Sequence, residues 1–178
     1  SSEHSVSDAE DLVSRQGLDD LTLPIEEVHQ AVSGVLANAP EGEPVGLTDE
    51  NLQSRIRGVL LMARANANGW LVLSTGNKSE SAVGYTTLYG DTAGAFAVIK
   101  DVTKTRVYEL CRWRNAQSPG ADGRPVVPEA ILDKPPSAEL RPDQRDDQSL
   151  PPYDVLDPVL EAYIEGNRTR SELVADGH

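Results

Sequence analysis

A short apolar run, Leu71-Val72-Leu73, passes without a break into Ser74-Thr75-Gly76-Asn77-Lys78-Ser79-Glu80. The switch reads as a buried strand delivering a polar, glycine-containing loop at its carboxyl end. Open α/β sheets gather their ligands at that end. The loop holds hydroxyls, an amide, an ammonium and a carboxylate. Asn77 or Ser79 is placed to cap the following helix, whose free N–H groups would then face an anion. Those groups suit a phosphate and its metal. Farther on, Asp91 in Tyr89-Gly90-Asp91 and Lys104 at the head of the next helical run add a carboxylate and a lysine, an inventory that resembles a nucleotide site.

Around this stretch the apolar spacing predicts mostly helix. Val6 to Gln16 reads as a helix, with Ser7 and Glu10 as a capping box and Gly17 as its stop. Leu21-Thr22-Leu23-Pro24-Ile25 reads as a short strand, and Ile25 to Ala37 as a second helix. After a loop over Ala39 to Pro44, a long helix from Thr48 carries Leu52, Ile56, Val59, Leu60 and Ala63 inward and stops at Asn66-Ala67-Asn68-Gly69. A helix from Lys104 runs on through Val107, Leu110 and Cys111. A Gly- and Pro-bearing loop and one helical turn, Pro128 to Leu132, come next. Residues 134–150 are rich in proline and charge and read as a loop with little core of its own, of the kind that closes over a site. A last clear helix, Pro152 to Glu165, turns Tyr153, Leu156, Val159, Leu160 and Tyr163 inward, and Thr169 to Ala175 opens another.

The fold class expected is α/β with a doubly wound parallel sheet, Rossmann-like. Such domains open with a strand and carry a phosphate loop in the first strand-to-helix turn. Here the order begins helix, strand, helix, so the chain is read as a fragment that starts in mid-fold.

At 178 residues the chain suits one α/β domain. Sixteen basic against 29 acidic side chains leave a formal charge of −13, which excludes a broad nucleic-acid-binding surface. Anionic ligands must then be met by local cations and metal. The lone Cys111 supports no disulfide framework within one chain and reads as a core thiol. His4, His29 and His178 lack metal-ligand spacing. No stretch approaches a membrane span and Ser1-Ser2-Glu3-His4 is no signal peptide, so the chain is read as cytoplasmic.

The strings STGNKSESAVGYTTLYGD, DVTKT and KPPSAELRPDQ, followed by SLPPYDVLD, resemble the synthetase domain of NAD synthetases, nearest the glutamine-dependent kind. The resemblance runs over nearly the whole chain, in the family's order and spacing. It implies an ATP pyrophosphatase fold of the adenine nucleotide alpha-hydrolase type, with residues 1–178 as part of the synthetase domain. It also implies a ligase that adenylates nicotinic acid adenine dinucleotide (deamido-NAD) with ATP and displaces AMP with ammonia to give NAD. The nitrogen would come from ammonia or from glutamine through a separate glutaminase domain.

By the same resemblance, Thr75, Lys104 and Ser137 would contact ATP, with Lys104 stabilising charge on its phosphates and residues 134–150 closing as a lid. Glu80 would hold Mg2+ or lie against the dinucleotide. Asn51, Arg55, Tyr85, Thr86, Thr87, Leu88 and Asp91 would contact deamido-NAD, and Asp91 would help position the ammonia. A homodimer with the dinucleotide site at its interface is implied as well.

The family's serine-glycine-glycine phosphate loop, its tail lysine and its glutaminase cysteine have no counterpart here, so this chain alone is expected to be inactive. Two other readings stay open. One is another amide-forming ATP pyrophosphatase of the same fold, against which the run Tyr85 to Asp91 argues. The other is a non-catalytic piece that only folds or dimerises.

Overall fold

The computed structural model describes residues 3–178; Ser1 and Ser2, half of the opening read as no signal peptide, lie outside them. The chain divides into two compact units, Thr22–Lys100 and a second made of Ser1–Leu21 with Asp101–His178.

In the unit Thr22–Lys100, α2 (Glu26–Leu36) packs on the long α3 (Leu47–Asn68). His29 Nε2 and Asp49 Oδ1 lie 2.6 Å apart across that contact, and Gln53 Nε2 donates to Asp49 Oδ2 at 2.9 Å. Gly69 ends α3 in the left-handed region at φ 66°, where its missing Cβ removes the usual penalty. A two-residue strand, β1 (Leu73–Ser74), then pairs in parallel with β2 (Phe96–Ala97), Leu73 opposite Phe96 and Ser74 opposite Ala97. Between them α4 (Lys78–Val83) completes a strand–helix–strand order. The class is therefore α/β with a small parallel sheet.

Three expectations change over residues 21–68 and 71–74. Leu21 to Ile25 is no strand; the segment pairs with nothing as a ladder, Pro24 supplies no N–H, and Leu21 and Leu23 are exposed. The run Leu71-Val72-Leu73 is not a buried strand either. Leu71 and Leu73 are exposed and Ser74 is buried, because the face that packs is the one carrying the hydroxyl. On α3 the buried residues are Ser54, Ile56, Gly58 and Ala65, while Val59 is exposed. Ser54, Gly58 and Ala65 share one face, and where it meets the Tyr89–Gly90 backbone only small side chains fit, while Ile56 is buried on another side of the helix.

The second unit is helical. Its elements are α1 (Glu3–Gln16), α5 (Lys104–Gln117), α6 (Glu129–Asp133), a 3-10 turn over Asp146–Gln148, α7 (Tyr153–Leu160), continued by a π-helical turn over Glu161–Glu165, and α8 (Arg170–Ala175). Val126, Leu132, Leu156 and Leu160 form its buried apolar residues. Cys111 is half-buried, and desolvation pushes its thiol above the usual range.

Two details of the sequence reading are corrected here. Ser7 and Glu10 are not a capping box, since α1 is already helical at Glu3 and Ser7 Oγ donates back to His4 O at 2.9 Å. Tyr163 is 60% exposed, because it lies in the wide π turn, which shifts the helical register that would have carried it inward.

Candidate functional site

The loop after β1 closes on a capping box. Asn77 Oδ1 accepts from Glu80 N at 2.9 Å, and Asn77 N donates to Glu80 Oε2 at 3.1 Å. This reciprocal pair starts α4 and fixes the half-buried Glu80 carboxylate at the helix's positive end. Asn77, and not Ser79, is the cap; Ser79 is fully buried. Thr75 is exposed on the same loop. At the far end of α4, Tyr85 N donates to Glu80 O at 2.8 Å, and Tyr85 and Thr86 are half-buried as the chain enters its next turn.

That turn, Thr87 to Asp91, is bound to α3. Thr87 Oγ1 donates to Asn51 Oδ1 at 2.7 Å, and Arg55 Nε donates to Leu88 O at 3.2 Å. Asp91 N donates to Ser54 Oγ at 3.1 Å, and Asp91 Oδ1 accepts from Thr87 N at 2.6 Å. Ser74 Oγ, from β1, donates to Asp91 O at 3.1 Å. Asn51, Arg55, Thr87, Leu88 and Asp91, picked from distant parts of the sequence, are thus brought together.

Two glycines make the approach possible. A Cβ on Gly58 would lie 2.5 Å from Tyr89 O, and one on Gly90 would lie 2.2 Å from Ser54 Oγ. Tyr89 itself is held at φ 65°, a strained conformation for a tyrosine, and is exposed. Ser54 and Ser74 escaped the sequence reading. Ser54 stands three residues after Asn51, on the same helix face, and that spacing was the available signal.

In the other unit, Lys104 occupies the first turn of α5 after the N-cap Thr103. Lys104 and Ser137 line one cleft of about 230 Å³, together with Ser5, Tyr108, Lys134 and Glu139. Lys134 ties the segment that follows it to α1: its Nζ donates to Ser5 Oγ, lies 2.9 Å from Glu139 Oε1 and 3.6 Å from Asp8 Oδ2. The Glu139 carboxylate raises the Lys134 ammonium above its ordinary value. Ser137 Oγ accepts from Glu139 N at 3.1 Å, a local turn that fixes the hydroxyl.

A lysine at the start of a helix opposes the helix dipole. A carboxylate of the chain meets that helix end. Asp157 of α7, 2% exposed, accepts from Thr105 N and Thr105 Oγ1, both at 2.8 Å, and so caps α5 from a neighbouring helix. Lys104 Nζ stands 5.5 Å from the centre of the Tyr153 ring.

Among the described residues no group of three or more His, Cys, Asp or Glu side chains is placed to hold a metal ion, and no helix is long and apolar enough to cross a membrane. A half-buried carboxylate such as Glu80 has the oxygen chemistry a magnesium ion takes, and such an ion commonly completes its shell with substrate phosphates.

The NAD synthase family model matches residues 1–177. The glutamine-dependent NAD(+) synthetase of Rhodobacter capsulatus is 50% identical over 182 residues, covering 99% of this chain and 32% of that protein. Its counterpart in Thermotoga maritima is 49% identical over 176 residues, 99% of this chain and 30% of that protein. The solved structure of glutamine-dependent NAD+ synthetase from Acinetobacter baumannii, in complex with ADP, superposes with a TM-score of 0.70 at 42% identity, covering 99% of this chain and 30% of that one. The chain thus spans about a third of the length of the curated relatives it matches.

Proposed function

This chain belongs to the NAD synthase family, and on that premise we propose that it serves the ATP-dependent amidation of deamido-NAD to NAD through an adenylated intermediate. The observation that carries the reading is the joining of Asn51 to Thr87 and of Arg55 to Leu88, at 2.7 and 3.2 Å. A helix and a turn far apart in sequence are joined through the residues assigned to the dinucleotide. On this reading Tyr85, Thr86 and Asp91 complete that set, and the turn recognises deamido-NAD partly through its backbone.

Thr75, Lys104 and Ser137 serve ATP. Lys104 offers a charge that stabilises the phosphates as adenylyl transfer proceeds, and such placed charge carries most of the catalysis in phosphoryl chemistry. Glu80, held in its cap, is the carboxylate for Mg2+, which would polarise the phosphate oxygens when bound. Asp91 Oδ1 already accepts from Thr87 N, so the carboxylate enters the site prealigned to position the ammonia. Residues 134–150 act as the lid of the synthetase domain, and β1 with β2 belong to a doubly wound sheet. The nitrogen comes from ammonia or glutamine, and the protein works as a cytoplasmic homodimer.

The experiment is NAD formation by the purified protein from deamido-NAD, ATP and Mg2+, with ammonium or glutamine as donor. Thermal stability is read alongside, with deamido-NAD and with other carboxylic acids added. NAD formation together with stabilisation by deamido-NAD alone supports the reading. No NAD with either donor and no selective stabilisation overturns it.

A further inference from the structure

We propose that Tyr153 is a positioning residue for Lys104, linking that lysine to the segment that carries Ser137; the inference rests on the reading of Lys104 as an ATP contact. Tyr153 and Asp157 stand four residues apart on α7, so they share one helix face. Both act on the first turn of α5. Asp157 takes Thr105 N and Oγ1, which sets the helix start and offsets the dipole that Lys104 opposes. The Tyr153 ring, 5.5 Å from Lys104 Nζ, gives the ammonium a face to rest on. A lysine is a flexible stem bearing a point charge, and such a surface narrows the positions its charge visits.

The hydroxyl of the same tyrosine reaches the other way. Tyr153 Oη donates to Asp146 Oδ2 at 2.8 Å, and Asp146 N donates to Pro136 O at 2.9 Å, one residue before Ser137. Asp146 is 4% exposed and its Oδ1 has no hydrogen-bond partner, so the tyrosine hydroxyl is the side-chain contact that steadies a buried carboxylate. One side chain therefore touches Lys104 with its ring and holds the Ser137 segment through its hydroxyl. The two residues assigned to ATP in this cleft are aligned with each other through Tyr153.

The test is steady-state kinetics of Tyr153→Phe, Tyr153→Leu and Lys104→Met, alone and combined, in the protein as its gene encodes it. Tyr153→Phe keeps the ring and is expected to raise KM for ATP about threefold, and Tyr153→Leu about tenfold, with KM for deamido-NAD moving less than about twofold. In the Lys104→Met background Tyr153→Leu should add no more than the roughly threefold of Tyr153→Phe, since the ring's share passes through that lysine and the hydroxyl's does not. Equal rises in both KM values with a lowered melting temperature, or the full rise of about tenfold persisting in the double variant, would make Tyr153 a packing residue and overturn the proposal. If Lys104→Met impairs use of ATP and Tyr153 changes do not, the inference fails and the assigned function stands. If Lys104→Met leaves ATP kinetics unchanged, both fail.

Discussion

Thr105 on α5 gives both its backbone N–H and its hydroxyl to one carboxylate oxygen of Asp157 on α7, each at 2.8 Å. Two helices separated in sequence by a long loop-rich stretch are joined at that oxygen, and the joint fixes where α5 begins. Lys104 is the residue immediately before it.

Removing the carboxylate should therefore be costly. Asp157→Ala leaves the Thr105 N–H without its partner in a buried place, and the expected loss of unfolding free energy is about 2–3 kcal/mol. Thr105→Ser, which keeps both donors, should cost under about 1 kcal/mol. Urea denaturation of the two variants beside the native protein checks the difference, and equal losses would contradict the double acceptance.

The close approach of α3 to the Tyr89–Gly90 turn gives a second test. Gly58→Ala would put a methyl 2.5 Å from Tyr89 O, a backbone atom that cannot turn aside. Overpacking of this kind costs about 1–3 kcal/mol, although alanine is the better helix former. Calorimetry should show a lowered melting temperature. Titration should show weaker binding of deamido-NAD, because displacing the turn breaks the alignment of Thr87 and Leu88 with Asn51 and Arg55.

Capping and chemistry can be separated at the loop after β1. Asn77→Ala removes the acceptor for Glu80 N and should cost about 1 kcal/mol of stability. Glu80→Gln keeps an oxygen able to accept from Asn77 N, so the melting temperature should hardly move. The charge is gone, however, and the dependence of turnover on Mg2+ should shift to much higher concentration. A Glu80→Gln protein with native magnesium dependence would rule out the carboxylate as the metal's ligand.

Lys134 gives a test by pH. Its ammonium is raised above the ordinary 10.5, first by the hydrogen bond to Glu139, and burial opposes the shift. A group raised on folding contributes stability that is fully present below its unfolded value and is lost as pH climbs through the folded one. The stability difference between the native protein and Lys134→Met should thus hold at neutral pH and shrink above 10.5. The side chain is 33% exposed, so the difference should be under about 1 kcal/mol. Urea midpoints measured across that range decide it, and a difference that grows with pH would refute the assignment.

Much of the local structure was legible in the residues. Helices α2, α3, α5, α6 and α8 stand where the sequence places them, and a cap at Asn77 or Ser79 was legible, the structure choosing Asn77 with Glu80. What misled was any reading that assumed a facing partner. Leu21 to Ile25 has strand-like residues but no ladder to join, and Val59 has the period of a core residue but lies exposed on a helix that buries Ser54, Gly58 and Ala65 along one face. Neither fact is written in a window of ten residues.

The sequence by itself determined which segments are helical and that the loop after β1 starts a capped helix, because these depend on neighbours within a turn or two of chain. Only the tertiary structure decided that Gly58 and Gly90 let a helix and a turn touch backbone to backbone, that Asp157 caps α5 from another helix, and that Tyr153 stands between Lys104 and Asp146. Such contacts join residues dozens of positions apart, and their geometry is set by how whole elements pack, which no local pattern encodes.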